Sequence, residues 1–350
     1  MAHPHLVKDI ALQAGVSVAT VDRVLNQRAG VRQHTQRRVA QALAELERQS
    51  AQVGLIGRKF LIDVVMQAPD RFTQVARAAL ERELPALQPA IFRSRFHLTE
   101  LTPVSTLVAT LDSIAARGSH GVLLKAPDLP EVVAAVQRLH VRGIPVITLV
   151  TDLPTSQRLA YVGMDNRAAG QTAAYLLGEW LGDAAACGGG DNGTGVVVSL
   201  SSNRFRGEEE REIGFRQALR ERYPALKVHE ISEGFGLHSA TAQLLGEKLK
   251  QWPDAVAVYS VGGANAAIIE AFERQGRACR IFIGHDLDAD NLRLLRQGRL
   301  SAVLHHDLQH DMRTACLHVM RAHGALAPLP LTHSSVQVIT PYNLPENFAT

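Results

Sequence analysis

The sequence predicts a small all-α head joined to an α/β body with a doubly wound parallel sheet, and three observations carry that expectation. The first 60 residues hold nine Lys/Arg against four Asp/Glu, and the remaining 290 hold 28 against 30, so a basic segment precedes a near-neutral one. Apolar residues of the basic segment recur at helical spacing around a glycine turn. From Phe60 onward, short apolar runs alternate with amphipathic stretches of helical length, the pattern of a parallel sheet wrapped by helices.

The head divides into three helices. Leu6, Ile10 and Ala14 share one face of a first helix over Val7–Ala14, and Gly15 follows where a left-handed residue ends a helix cheaply. Val16 fills the corner. Ser17 suits the N-cap of a second helix, Val18–Leu25, because its hydroxyl can accept from a free amide of the first turn. Asn26 and Gly30 close that helix. A third runs from about Gln33 to Arg48, with Val39, Ala42, Leu43 and Leu46 inward and Arg37, Arg38 and Arg48 outward.

Helix, glycine turn and Ser-capped helix make a helix-turn-helix, whose second helix enters the DNA major groove. On that reading Ser17 and Thr20 bond phosphate, aided by the helix dipole. Val18 and Ala19 meet thymine methyls, Arg23 reaches guanine bidentately, and Asn26 ends the contact surface. The net charge of the first 60 residues, +5, suits a polyanionic partner.

The run Lys8-Asp9-Ile10-Ala11, Ala14-Gly15-Val16-Ser17-Val18-Ala19-Thr20-Val21 and Arg23-Val24-Leu25-Asn26 resembles the headpiece of the LacI family of bacterial repressors. The resemblance implies double-stranded operator DNA as partner. Two departures stand out. The family has Ser at the position of Asp22, an acid that repels phosphate and is expected to orient Arg23 or accept from a cytosine amine. The family also continues into a Tyr-x-Pro-Asn segment and a short hinge helix with a minor-groove Leu wedge. Here residues 47–59 are shorter and carry Gly54 and Gly57. They read as a flexible basic linker touching phosphates through Arg58 and Lys59, with Leu55 as the alternative wedge.

In the body, strands are expected at Leu61–Met66, Gly121–Lys125, Pro145–Val150, Ala160–Met164, Val196–Leu200, Ala255–Val261, Arg280–Gly284 and Ala302–His305. Helices are expected between them, including Thr73–Leu84, Leu129–Arg142, Arg167–Leu181, Glu208–Arg222, Leu237–Gln251 and Ala264–Gln275. Ligands of such sheets bind beyond the carboxyl ends of the strands. The residues there are polar: Asp70 and Arg71 with Phe72, Lys125 and Asp128, Thr151 and Asp152, Asp165 and Asn166, Asn203, Arg204 and Arg206, His285 and Asp286, His306 and Asp307. Arg211 follows a little later. Charged groups converging on one crevice can satisfy many hydroxyls, and Phe72 and Phe235 can stack on an apolar ring face.

Over roughly residues 60–340 the body resembles the type I periplasmic sugar-binding fold, the ligand domain of LacI-type repressors. The strings that carry this are Ile144–Leu149, Tyr161–Gly170, Arg211-Glu212-Ile213-Gly214-Phe215 and Phe282-Ile283-Gly284-His285-Asp286. The resemblance implies a head over 1–48, a linker over 49–60 and a two-lobed sensor over 61–345. Its lobes would be about 61–164 plus 306–325, and 165–305 plus 326–345. It makes Asp286 and Arg211 the leading ligand contacts and places Asp165 near a lobe crossover. It puts His306 where relatives use Gln, Phe235 where they stack an aromatic, and Lys125 where they use Asn. Lys125 with Arg211 suits a sugar acid or sugar phosphate; a Lys125–Asp286 pair would instead leave a neutral sugar or polyol.

Other signals are bland. Met1–His5 lacks a basic leader, and the longest apolar run, Ile144–Val150, is far shorter than the roughly 20 residues of a membrane span. A cytoplasmic protein is expected, with no cofactor. Cys187, Cys279 and Cys316 are isolated, so neither a disulfide framework nor a cysteine zinc site is expected. His305, His306 and His310 lack further ligands for a metal. The Gly188–Gly195 run lacks the Lys-Ser/Thr of a P-loop, and no nucleophile elbow or Ser-His-Asp set is present. The sequence thus reads as a ligand-responsive repressor, homodimeric on a pseudo-palindromic operator and not an enzyme. A sugar-binding transport receptor and a sugar-converting enzyme on the same fold are the alternatives.

Overall fold

The computed structural model describes residues 5–182, 194–200, 205–327, 330–345 and 348, apart from the side chains of 48 and 51–53. Cys187, residues 188–193 of the glycine run, Asn203, Arg204 and the Arg48 side chain therefore lie outside the described part. Among the described residues no helix is long and apolar enough to cross a membrane.

The head is three helices, α1 (Val7–Ala14), α2 (Val18–Leu25) and α3 (Gln33–Leu55), around buried Ile10, Ala11, Ala14, Val21, Val39 and Ala42. Gly15 ends α1 at φ +60. A β-carbon there would stand 2.7 Å from the Arg38 guanidinium, which donates to the carbonyls of Ala14 (2.7 Å) and Gly15 (3.1 Å). Arg38 is thus a cationic cap on the negative end of α1 rather than an outward charge. The Ser17 hydroxyl accepts from the Thr20 amide at 3.2 Å.

The expected flexible linker is replaced by helix. The third helix, α3, continues through Gly54 to Leu55, and the chain turns only at Gly57, φ +76. An internal glycine costs a helix only about 1 kcal/mol, and Leu55 offsets that by burying in the cluster that holds Phe60, Ile62 and Phe92. Leu55 is 5% exposed. Seated there it is not a minor-groove wedge. Arg58 donates to the His323 carbonyl, so it is engaged with the body as well.

The body has two sheets. The first, in order β2-β1-β3-β4-β5, comprises β1 (Lys59–Gln67), β2 (Ile91–Thr99), β3 (Gly121–Lys125), β4 (Val146–Leu149) and β5 (Ala160–Val162), all parallel. It is wrapped by α4 (Asp70–Glu83), α5 (Val104–Arg117) and α6 (Pro130–Val141). After β5 the chain crosses into α7 (Asn166–Leu181) and a second sheet: β6 (Gly195–Ser199), α8 (Arg206–Arg222), β7 (Lys227–Ile231), α9 (His238–Lys248), β8 (Ala255–Ser260), α10 (Asn265–Glu273), β9 (Ile281–His285), α11 (Ala289–Arg296) and β10 (Ala302–His305). It returns as α12 (Leu308–Ala322), which packs on α4, β4 and β5, and ends as β11 (Gln337–Ile339), antiparallel to β10. A bridge between Met164 and Ser334 joins two of the crossing segments. Central strands such as Gly121–Lys125 read as unbroken apolar runs because helices cover both faces.

Strand β2, absent from the expectations, carries Arg93, Arg95 and His97. Its polar face has a purpose: Asp63 of β1, fully buried, accepts from Arg95 (3.0 and 2.6 Å) and Arg117 (2.5 Å) and contacts His97 at 3.0 Å. Burial works to raise the Asp63 pKa. Hydrogen bonds from Arg95, His97 and Ser119 outweigh it and hold the carboxyl below its ordinary value.

Candidate functional site

The two lobes face each other across a cleft at the carboxyl ends of their strands, where roughly 830 Å³ is left unfilled, open mouth included. Gln67, Arg71, Phe72, Lys125 and Thr151 line it from the first lobe. Phe205, Glu208, Arg211, Phe235, Asp286 and Asp288 line it from the second.

Lys125 ends β3. Its ammonium sits 4.4 Å from the centroid of the Phe205 ring and 5.5 Å from that of Phe72, and donates to the Gln67 carbonyl at 3.3 Å. Desolvation drives its pKa down to about 8, against the pull of Glu208 and Asp286 and with the push of Arg211. Arg211 is buried on α8, where its Nε donates to the Asn166 side chain at 2.7 Å. Two glycines let α7 and α8 approach closely enough to place it. A β-carbon on Gly170 would stand 1.9 Å from the Arg211 carbonyl oxygen, and one on Gly214 would stand 2.2 Å from that of Arg167.

Asp286 follows β9 in a left-handed conformation, φ 61, pinned by its own amide to the Leu304 carbonyl (2.9 Å) and by the Asn291 side chain on its carbonyl (2.7 Å). Non-glycine residues adopt that conformation only where surroundings impose it. Asp286 Oδ1 is buried without a hydrogen-bond partner, as are Gln67 Oε1 and His285 Nδ1. Each belongs to a residue lining the cleft. Buried polar atoms are normally satisfied; Asp286 Oδ1 instead faces His306 Nε2 at 3.6 Å, too long for a hydrogen bond. The His285 pKa lies well below its ordinary value because burial penalises the imidazolium, and Arg211 and His306 add to that.

Of the eight ligand candidates from the sequence, Phe72, Lys125, Arg211, Phe235 and Asp286 line this cleft; Asp152, Asp165 and His306 do not. The Asp152 carboxylate is taken by Arg158, with Oδ2 at 2.6 Å from its Nη2, and by the Thr148 hydroxyl at 2.8 Å. Asp165 is exposed and caps α7 through the Ala168 amide at 2.9 Å. His306 is fully buried behind the wall, with Nδ1 2.5 Å from Asp311 Oδ2 and Nε2 3.6 Å from Asp286 Oδ1. Sequence reasoning named Arg71 after the first strand but did not carry it into the ligand set, and it did not bring Gln67, Phe205, Glu208 or Asp288 to the site. Arg71 is visible only as one polar residue behind a strand, and Asp288 only as a helix cap; their convergence is long-range.

On the head, Ser17, Val18, Ala19, Arg23 and Asn26 are exposed along α2 and its ends, and Thr20 is half-buried. Asp22 does not orient Arg23. It accepts from Arg28 at 2.9 Å and from the Asn26 side chain at 2.7 Å, so the unusual acid is neutralised within the head.

Comparison with known proteins agrees with this architecture. Residues 60–324 match the profile of the periplasmic binding protein domain, and residues 6–48 match that of bacterial regulatory proteins, lacI family. The HTH-type transcriptional regulator reg1 of Streptomyces lividans is 29% identical over 244 residues, covering 66% of this chain and 64% of its own, so the match spans just under two thirds of that relative. GanP, a glucose-galactose binding protein from Geobacillus stearothermophilus, superposes with a TM-score of 0.71 at 22% identity, over 82% of this chain and 99% of its own. A periplasmic solute binding protein from Actinobacillus succinogenes with bound D-allose gives 0.68 at 17% identity, over 81% and 98%. At these identities the two structures speak for the fold.

Proposed function

Because the chain belongs to the periplasmic binding protein domain family and carries a lacI-family head, we propose that it is a sequence-specific transcription regulator controlled by a small polar effector. The effector is a sugar, polyol, sugar acid or sugar phosphate held in the interlobe cleft, and the action is repression by a homodimer in the cytoplasm. The observation that carries this reading is the pairing of two unfinished surfaces in one chain. The head presents Arg23 to solvent on a Ser-capped helix, and the cleft gathers Lys125, Arg211 and Asp286 with the rings of Phe72 and Phe235.

The two are mechanically joined. The head's third helix runs into the first lobe's core through Leu55. In a homodimer a change in how the lobes sit relative to each other moves the two heads relative to one another, and an effector that prefers one arrangement changes operator affinity by at most that preference. Asp286 and Glu208 accept from hydroxyls, Lys125 donates, and Phe72, Phe205 and Phe235 offer ring faces. Lys125 is held by Gln67 and two rings rather than by Asp286, which leaves its charge available to an anionic group on the effector.

Thermal shift against neutral sugars, polyols, sugar acids and sugar phosphates tests the cleft. A compound that stabilises the wild type and leaves Asp286→Ala unmoved supports it; equal stabilisation of both removes Asp286 as a contact. For the head, Arg23→Ala is expected to cost about 1–3 kcal/mol of operator affinity at fixed salt and to relax preference at one base pair. A uniform loss over all sequences would make Arg23 a phosphate contact only.

A further inference from the structure

One side chain ties the two lobes directly to each other across the cleft. Arg71 projects from the start of α4 in the first lobe, and its three polar partners all lie in the second lobe. Its Nη1 donates to the Gly236 carbonyl at 2.7 Å, its Nη2 reaches the Gly262 carbonyl at 3.4 Å, and its Nε lies 3.3 Å from Asp288 Oδ2. The guanidinium fork therefore grips two separate loops and a helix cap at once.

The second lobe is shaped to receive it. Gly236 and Gly263, distant in sequence, both border the guanidinium. A β-carbon on Gly263 would stand 2.0 Å from Arg71 Nη2, and one on Gly236 would stand 3.2 Å from the same atom. Both glycines have positive φ, 64 and 85 for Gly236 and Gly263, and the preceding Phe235 is left-handed too, at φ 52. Strained backbone of this kind persists only where its surroundings fix it. Asp288 is already committed as the cap of α11 through the Asn291 amide at 2.8 Å, so its carboxylate is held in place before Arg71 meets it. A planar donor with fixed geometry suits such a seat far better than a flexible ammonium.

We infer that Arg71 is an interlobe clasp that favours the closed arrangement of the lobes, and that Gly236, Gly263 and Asp288 form its seat. A protein held closed in advance binds its effector without meeting the full cost of closure, so the clasp sets effector affinity as well as the resting position of the lobes. The inference goes beyond the effector reading, because the clasp's partners are groups of the second lobe and not the effector.

The test uses the full-length, effector-free protein and reads the distance between the lobes. Nitroxides are attached through Ser105→Cys and Ser239→Cys, exposed positions on α5 and α9 on opposite sides of the cleft, in a chain lacking its native cysteines and diluted with unlabelled protein. Pulsed electron resonance is expected to resolve a short-distance, closed population in the parent. Arg71→Ala should shift the distribution to longer distances. Gly263→Val, which leaves Arg71 in place but fills its seat, should produce the same shift, and the double variant should add nothing. Asp288→Asn keeps the helix cap and should give a smaller shift. Arg71→Lys should not restore the parent distribution. An unchanged distribution in Arg71→Ala, with circular dichroism showing the fold intact, would overturn the clasp. Additive shifts from Arg71→Ala and Gly263→Val would overturn the assigned seat.

Discussion

Asp63 and Asp286 are carboxylates of the two lobes, each with buried oxygens, treated in opposite ways. In the first lobe, Asp63 is saturated: two arginines and a histidine surround it. In the cleft, Asp286 keeps one buried oxygen without a hydrogen bond, facing His306 Nε2 at 3.6 Å, on a backbone held in a left-handed conformation. The first arrangement completes a fold, tying β2 and α5 to β1. The second leaves part of the folded protein unfinished. A buried polar group that evolution leaves unsatisfied costs stability unless a ligand later satisfies it, so the difference separates scaffold from site without reference to any relative.

Stability measurements on single variants sharpen that contrast. Asp63→Asn should be the most damaging, losing about 3 kcal/mol in urea unfolding because it removes the charge that compensates Arg95 and Arg117. The pH dependence has a fixed sign. The folded pKa of Asp63 lies below the ordinary 3.8, so its contribution is complete above that value and fades as pH falls through the lowered one. Wild type and variant should therefore converge in strong acid. Equal stability of the two at pH 7 would break the distinction between the two carboxylates.

Lys125→Met should act in the other direction, stabilising the effector-free protein by on the order of 1 kcal/mol at pH 7. The gain stays below a full desolvation cost because two rings and a carbonyl already face the ammonium. A lysine lowered from 10.5 to about 8 in the fold is unfavourable wherever it is charged. That cost is present below pH 8 and disappears as pH rises from about 8 to 10.5, so the melting difference between variant and wild type should shrink over that window. Asp286→Asn should change unfolding stability least, by under about 0.5 kcal/mol, since the buried oxygen makes no hydrogen bond and only a 3.6 Å contact with His306.

Much of the head was legible because its signals are local. Gly15 and Ser17 mark a turn and a cap within a few residues of the helices they bound, and both perform those roles. The end of α3 was not legible, since Gly54 reads as a breaker and its compensation, Leu55 in a distant core, depends on tertiary packing. Strand β2 was hidden for a related reason: Arg95 and His97 look solvent-facing until Asp63 is seen opposite them. In the cleft, position after a strand found Phe72, Lys125 and Asp286. The same rule also selected Asp152, which Arg158 occupies six residues later, and Asp165, which caps its own helix. Position in sequence cannot tell whether a carboxylate is already engaged. Nor could it reveal that Arg71, selected by the same rule, finds its partners more than 160 residues away.

The central claim is that occupation of the cleft changes the grip of the head on DNA. Its most direct test is operator affinity, measured by fluorescence anisotropy at fixed salt, titrated with the compound that most stabilises the wild type in the thermal screen. The account predicts that affinity changes at least several-fold in the wild type, saturating at the compound's own binding midpoint, and stays constant in Asp286→Ala. Wild-type operator affinity that is unmoved while the cleft is saturated would contradict it.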